Sequence, residues 1–425
     1  MVDKLCPAVQ PAGAHSAEDD SRARCPLFHK VGDVPGVLKP RYAIIHSMRE
    51  WAYPAARAVA AKVEAHLVRR HRERIEASGA GVAPAPTAEN ISAMVDALFW
   101  ASLRREEGYV PRISLAFLSP EQTGQPLIFD RPLPLDPIAL ARVAPAVERP
   151  GIHLGVWPVD GKLCAWGTTR RVPMLCCVVE IAGPGLLVVK YDRGEEKGKF
   201  ANVAVLEGDQ IKIVDEHASS LPDCPVLITS MLGFESPALW AEPFNALVQV
   251  AVSMRAHGHG GSLLIVPADS DSWRESIVHP IPYAALRPFH ELTNIRREIS
   301  AEPSGPWPPE MSQTIDTIAG LTAVDGAAIL TSEYAVLGFG AKIMRRNGTH
   351  QVEQVTLTEP IEGDRAALVR PEQLGGTRHL SAAQFVHDQH DAVALVASQD
   401  GKFTVFGWSP CEGMVHAHRV DTLLL

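Results

Sequence analysis

Gly375-Gly376-Thr377-Arg378-His379 constrains the fold of this chain more than any other stretch. The glycine pair allows close backbone approach, and the residues after it are spaced as one face of a helix, with Phe385 and Val386 turned to a core. The apolar run Ala392–Ala397 follows, then the turn Ser398-Gln399-Asp400-Gly401 and a returning strand over Phe403–Gly407. In this reading Thr377 is the N-cap, and the N–H groups of Arg378 to Leu380 stay free. Free N–H groups, a hydroxyl and two potential cations at one helix terminus suit an anion such as a triphosphate, which Arg378 can grip through two oxygens at once.

Upstream, Val324-Asp325-Gly326-Ala327-Ala328-Ile329-Leu330 reads as an acidic turn opening a strand, followed by Gly338-Phe339-Gly340-Ala341-Lys342-Ile343. Asp-Gly is a common turn pair and is weak evidence alone. Next to a triphosphate, however, the Asp325 carboxylate is the natural holder of a divalent metal. His387 and His390 lie three apart on the helix and read as its solvated face. His257 and His259 read as incidental residues of a glycine turn between a helix over Leu239–Arg255 and the strand Ser262–Val266. Tyr283–Ile299 reads as helical with an interruption at Pro288, Pro303–Pro309 as a break, and Met311–Leu321 as a short helix.

On the Asp325-Gly326-Ala327, Gly376-Thr377-Arg378-His379 and Ser398 motifs, over about 180 residues, the chain resembles the bacterial diadenylate cyclases of the DisA-N (DAC domain) family. The resemblance implies an α/β (α+β) fold: a C-terminal domain with a central mixed sheet flanked by helices, preceded by a smaller α+β sensor-like domain. It implies condensation of two ATP into cyclic di-AMP with Mg²⁺ or Mn²⁺ as cofactor, in a homo-oligomer whose active sites face each other. Asp325, Gly326, Ala327, Arg378 and His379 would then be catalytic. Gly376, Thr377, Arg378, His379 and Ser398 would bind ATP, with adenine read by backbone groups near Lys342, Ile343 and Met344. Asp325 would hold the metal, with His379 and Asp400 as further ligands. The chain departs from the family at Leu380, where the family has a second arginine; a nucleotide-binding sensor with weak or no turnover is therefore the alternative, and Arg345 or Arg346 are candidates to compensate.

The rest of the chain reads as three further segments. Residues 1–40 form a tail carrying Cys6 and Cys25, and residues 41–80 form a helix that becomes regular at Pro54 and ends in the basic run Arg69–Arg74. A Gly-Pro-Ala linker over 79–86 precedes a sensor-like unit over 87–220, with a helix over Asn90–Arg105 and short strands at Ile113–Phe117, Ile152–Val156, Leu163–Gly167, Val178–Ile181, Leu186–Tyr191 and Val203–Leu206. Trp157, Trp166 and the Thr168–Arg171 turn read as core tryptophans beside a solvated turn. The cyclase-like unit spans 225–425. A net charge of −9 without a dense basic patch argues against nucleic acid as a partner. Seven scattered cysteines, with Cys176-Cys177 in an apolar run, suggest buried reduced thiols. With no signal peptide and no apolar run of membrane-spanning length, the expected location is cytoplasmic. The ligand of the sensor-like unit is open.

Overall fold

The structure, a computed structural model, describes residues 52–78, 81–194, 200–215, 246–301 and 309–425. The tail with Cys6 and Cys25, the helix over 41–51, the first residues of the helix read from Leu239 and most of the 303–309 break lie outside the described residues.

The N-terminal unit is built from α1 (Pro54–Ser78), α2 (Ala88–Ser102), β1 (Ser114–Phe117), β2 (Leu127–Pro134), α3 (Pro137–Val147), β3 (His153–Val159), β4 (Lys162–Thr169), β5 (Cys177–Gly183), β6 (Leu186–Asp192), β7 (Phe200–Glu207) and β8 (Gln210–Ile213). Helix α1 begins at Pro54, whose missing N–H costs nothing in a first turn. The Thr87 hydroxyl caps α2, and the Asp136 carboxylate caps α3 by accepting from the N–H groups of Ile138 and Ala139. The eight strands form one sheet in the order β2-β4-β3-β1-β5-β6-β7-β8, parallel only between β1 and β3. The three helices cover one face and share a core that includes Val63, Leu67, Ile91, Leu98, Leu115, Leu140 and Val189. The stretch read as a linker is pinned rather than free. Ala83 is fully buried, donates its N–H to Met174 O at 2.8 Å, and accepts at its carbonyl from the His71 ring at 2.6 Å. Small apolar residues such as Ala83 give a linker composition and also fit a tight crossing, so composition alone misleads here.

The C-terminal unit contains α4 (Ala246–Ala256), β9 (Gly261–Val266), β10 (Tyr283–Phe289), α5 (Glu291–Ala301), α6 (Pro309–Thr322), β11 (Ala327–Thr331), β12 (Val336–Ala341), β13 (Val355–Thr358), β14 (Ala367–Val369), α7 (Pro371–Leu374), α8 (Thr377–Asp388), β15 (Val393–Ala397), β16 (Phe403–Ser409) and β17 (Met414–Arg419). Its nine strands run β10-β12-β11-β9-β15-β16-β17-β13-β14, with β9 parallel to β11. Strands β9, β11 and β15 are buried along their whole length, as expected for central strands covered on both faces. One face packs against α4, α5 and α6, and the other against α8. The molecule is thus a mixed α+β structure of two mixed sheets flanked by helices.

Tyr283–Phe289 is a strand, not the first part of a helix. Apolar residues at Tyr283, Leu286 and Phe289 mimic a helical face, but β12 offers an unpaired edge, and Pro288 is tolerated on an outer strand. Helix α5 starts only at Glu291.

The two sheets touch through β8. Its end continues into an antiparallel bridge of Val214 with Ile361, and Lys212 reaches Glu359 at 2.5 Å. Asn202 donates to the carbonyls of Thr422 and Leu425.

Candidate functional site

The starts of β9 and β11, the end of β15 and the start of α8 all lie at one end of the C-terminal sheet. The meeting point is Gly260, at φ +70°. A Cβ there would stand 3.3 Å from Ala397 O, 3.3 Å from Gln399 Cγ and 3.5 Å from Arg378 Nη1. Gln399 also donates to His259 O at 3.3 Å. The glycine turn before β9, the hairpin turn after β15 and the first turn of α8 therefore converge within side-chain contact, although far apart in sequence.

Asp325 and Gly326 form the turn into β11. Gly326 sits at φ +115°, and a Cβ there would meet the Gly340 carbonyl carbon at 2.5 Å, so no other residue fits this turn without a shift. The turn leaves the Asp325 side chain 91% exposed, with Oδ2 2.6 Å from Lys342 Nζ. The hydrogen bond from Lys342, then its charge, and more weakly the charge of Arg378 hold the Asp325 carboxyl below the usual carboxylate range. Asp325 is an exposed, committed anion within the field of Arg378.

Gly376, not Thr377, caps α8; Thr377 is the first helical residue and is exposed. No side chain caps this terminus, but the His379 N–H, expected to be free, is donated to Gly376 O at 3.0 Å. Gly375 lies against His379. A Cβ on it would lie 2.3 Å from His379 Nδ1, so the missing side chain makes room for the imidazole. His379 is 2% exposed, with its ring edge-on to Phe406. Burial first, then the charges of Arg419 and Lys402, lower its pKa to about 4 against the opposing pull of Asp400, which makes it a neutral imidazole at pH 7. Its Nε2 is buried without a hydrogen-bond partner among the described residues, a state that native proteins rarely tolerate in the absence of water or ligand.

Ser398 donates to Asp400 across the turn, and Lys402 Nζ lies 3.0 Å from Asp400 Oδ2. Burial resists ionisation of Asp400, but the hydrogen bonds from Ser398 and Lys402 prevail and its pKa falls to about 2. Sequence reasoning missed Arg419 and Lys402. Arg419, at the end of β17, stands opposite Thr404 of β16, a pairing across strands that leaves no local signal in the sequence.

The backbone near Lys342–Met344 is partly engaged: Lys342 O accepts from Val278 N–H at 2.8 Å, and Met344 N–H donates to Ser276 O at 2.9 Å. Arg346 pairs with Glu275 at 2.6 Å, which commits one of the two arginines considered as substitutes at Leu380. His390 stacks on Trp408 at 3.7 Å and His387 lies edge-on to the same ring, so these histidines pack on an aromatic.

Among the described residues no group of three or more His, Cys, Asp and Glu side chains is arranged to hold a metal ion. One exposed carboxylate is what Mg²⁺ asks of a protein when substrate phosphates complete its octahedron. The donor set at Asp325 fits a divalent cation that arrives with a triphosphate.

In the N-terminal unit a cavity of about 920 Å³ opens where the N-terminal ends of α1, α2 and α3 meet the β3–β4 hairpin; Tyr53, Arg57, Glu89, Asp96, Asp136 and Lys162 are among its lining residues. Trp166 is fully buried with its indole N–H donated to Leu118 O at 2.8 Å, and Cys176 and Cys177 are buried free thiols whose pKa burial pushes up, Cys177 to about 12. No helix among the described residues is long and apolar enough to cross a membrane.

Residues 80–170 match the family described as probable sensor domain DACNV. The matched stretch holds α2, β1, β2, α3, β3 and β4, which include most of the cavity wall. No curated protein matches the chain.

Proposed function

We propose that the C-terminal unit condenses two ATP molecules into cyclic di-AMP, and that the N-terminal unit, with its sensor-domain match, regulates this activity. The observation that carries the reading is the convergence of Arg378, Gln399 and Gly260 at the strand end where Asp325 projects into solvent. It pairs an anion-gripping helix start with an exposed carboxylate, the two needs of a metal–triphosphate.

In the reaction each 3′-hydroxyl oxygen attacks the α-phosphorus of the other ATP in line. A P–O bond forms, the bond between the α-phosphorus and the bridging oxygen breaks, and pyrophosphate leaves with the electron pair; two ATP give one cyclic di-AMP and two pyrophosphates. The hydroxyl proton is lost to solvent, because a carboxylate held below the usual range, such as Asp325, is a poor proton acceptor. A divalent cation held by Asp325 supplies charge neutralisation on the phosphates. Arg378 and the N–H groups of the first turn of α8 that precede His379, whose own N–H is donated to Gly376 O at 3.0 Å, bind the triphosphate, Ser398 contributes a hydroxyl at the rim, and the buried Nε2 of His379 offers one further polar atom. Each protomer binds one ATP, so two protomers face each other during turnover.

The test is incubation of the full chain with ATP and Mg²⁺ or Mn²⁺, with both products quantified. The reading expects two pyrophosphates per cyclic di-AMP. ATP binding without product under either metal would favour the second reading, a nucleotide-binding sensor, for which Leu380 is the specific observation. Under that reading Leu380→Arg restores turnover or tightens ATP; no gain in either shows a site adapted to leucine.

A further inference from the structure

Lys342 is placed at the end of β12 by rigid backbone. Its carbonyl is held by Val278, Ile343 is bridged to Ile277, and the Met344 N–H is held by Ser276. The close passage of Gly326 against Gly340 brings this strand end beside the β11 turn. The Lys342 side chain lies outside this backbone network, half exposed, and its ammonium stands 2.6 Å from Asp325 Oδ2. That is the position beside the carboxylate that a divalent cation would take. The same carboxylate also feels the charge of Arg378, more weakly than that of Lys342. Position 380 carries a leucine, so Arg378 is the one permanent cation in the first turn of α8, and Arg346 is committed to Glu275.

We infer that Lys342 is a cation shared between Asp325 and the triphosphate. In the nucleotide-free chain it neutralises Asp325 and keeps bare metal ions out. When ATP brings its own cation, the ammonium leaves the carboxylate for the phosphates and supplies the charge missing at Leu380. The inference rests on the proposed nucleotide site and names the residue that makes its metal binding depend on nucleotide.

The experiment is a Mn²⁺ titration of the full chain without nucleotide, read by electron paramagnetic resonance of the free ion, alongside ATP binding without metal. Lys342→Ala should tighten Mn²⁺ about two- to fivefold, the range expected from removing an exposed ion pair. The same change should weaken metal-free ATP binding by at least a similar factor, while Lys342→Arg stays near the parent in both. Unchanged or weaker Mn²⁺ affinity in Lys342→Ala, with Mn²⁺ binding lost in Asp325→Asn, would overturn the inference and leave the site reading intact. Unchanged ATP affinity in Lys342→Ala would overturn the transfer to phosphate. Mn²⁺ binding that survives Asp325→Asn would instead remove Asp325 as the metal holder, and both readings would fall at that residue.

Discussion

The two sheets follow one plan. Read from the outer edge, the N-terminal sheet runs β2-β4-β3-β1-β5-β6-β7 and the C-terminal sheet β10-β12-β11-β9-β15-β16-β17. In each, the first strand pairs in parallel with the third and antiparallel with the strand that opens the terminal meander. In each, a helix before the first strand packs on one that precedes the third, α2 on α3 and α4 on α6. The difference lies between the fourth strand and the meander. In the N-terminal unit Thr169 reaches Cys177 by a short crossing; in the C-terminal unit Ala341 reaches Val393 through β13, β14, α7 and α8.

That insertion carries Arg378 and His379, and its effect shows at the strand ends. Where the C-terminal sheet exposes Asp325, the N-terminal sheet closes: the equivalent strand starts carry Ser114 and His153, both buried and joined by a 2.7 Å hydrogen bond, next to the Glu180–Lys190 ion pair. A shared architecture supplies the same strand end twice, with an exposed carboxylate beside the inserted elements in one unit and a buried Ser114–His153 pair in the other. Function follows the site rather than the fold.

The largest expected effect breaks the comparison at its open end. Asp325→Asn should abolish turnover while thermal unfolding stays within error of the parent, because the side chain is exposed and its turn depends on Gly326. Turnover at the parental rate would remove Asp325 from the mechanism.

Next in size, Trp166→Ala should destabilise the N-terminal unit by about 3–5 kcal/mol, the range for deleting a buried aromatic. Trp166 fills the space above Gly155, where a Cβ would meet its ring at 2.0 Å, and its indole N–H leaves Leu118 O without a donor when removed. Urea unfolding should show this loss while ATP affinity changes less than about twofold. A large fall in ATP affinity would mean that the β8 bridge to Ile361 couples the sites strongly.

Acid should weaken both sheets through buried histidines. His153 is lowered to about 4 by burial, His379 to about 4 and His418 to about 3. Each is neutral in the folded chain, so the unfolded chain takes up the proton first. Stability is therefore full above pH ~6.5 and falls as the pH drops from there toward about 4, by at most about 3 kcal/mol for His153. Denaturant midpoints that stay flat from pH 7 to 4.5 would contradict this.

The smallest effect is at the helix start. Arg378→Ala should weaken ATP by about 1.5–3 kcal/mol, the worth of a charge-assisted contact, as read by calorimetry.

Much of this was legible in the sequence, for reasons that differ by region. The strands β9, β11 and β15 announce themselves as short apolar runs between glycine and aspartate turns, and Pro54 marks the start of α1. The turn at Asp325 and the helix start at Arg378 can be placed because turn and helix-start chemistry is local. What stayed hidden depends on distant partners. The residue that caps α8 is decided by the packing of His379 on Gly375, and the sequence alone favours Thr377 over Gly376. Tyr283–Phe289 becomes a strand because β12 needs a neighbour. The ion pair of Lys342 with Asp325 exists only once Gly340 and Gly326 are in contact, and the common plan of the two sheets lies in pairing order, which leaves no periodic trace.

The most direct measurement is the stoichiometry of ATP binding to the full chain in the presence of Mg²⁺, by calorimetry, for the parent and for the Asp325→Asn, Arg378→Ala double variant. One ATP per chain, lost in the double variant, is the result predicted by an open site on the C-terminal sheet and a sealed one on its counterpart. Two ATP per chain, or one that survives the double variant, would place nucleotide on the N-terminal sheet and contradict the account.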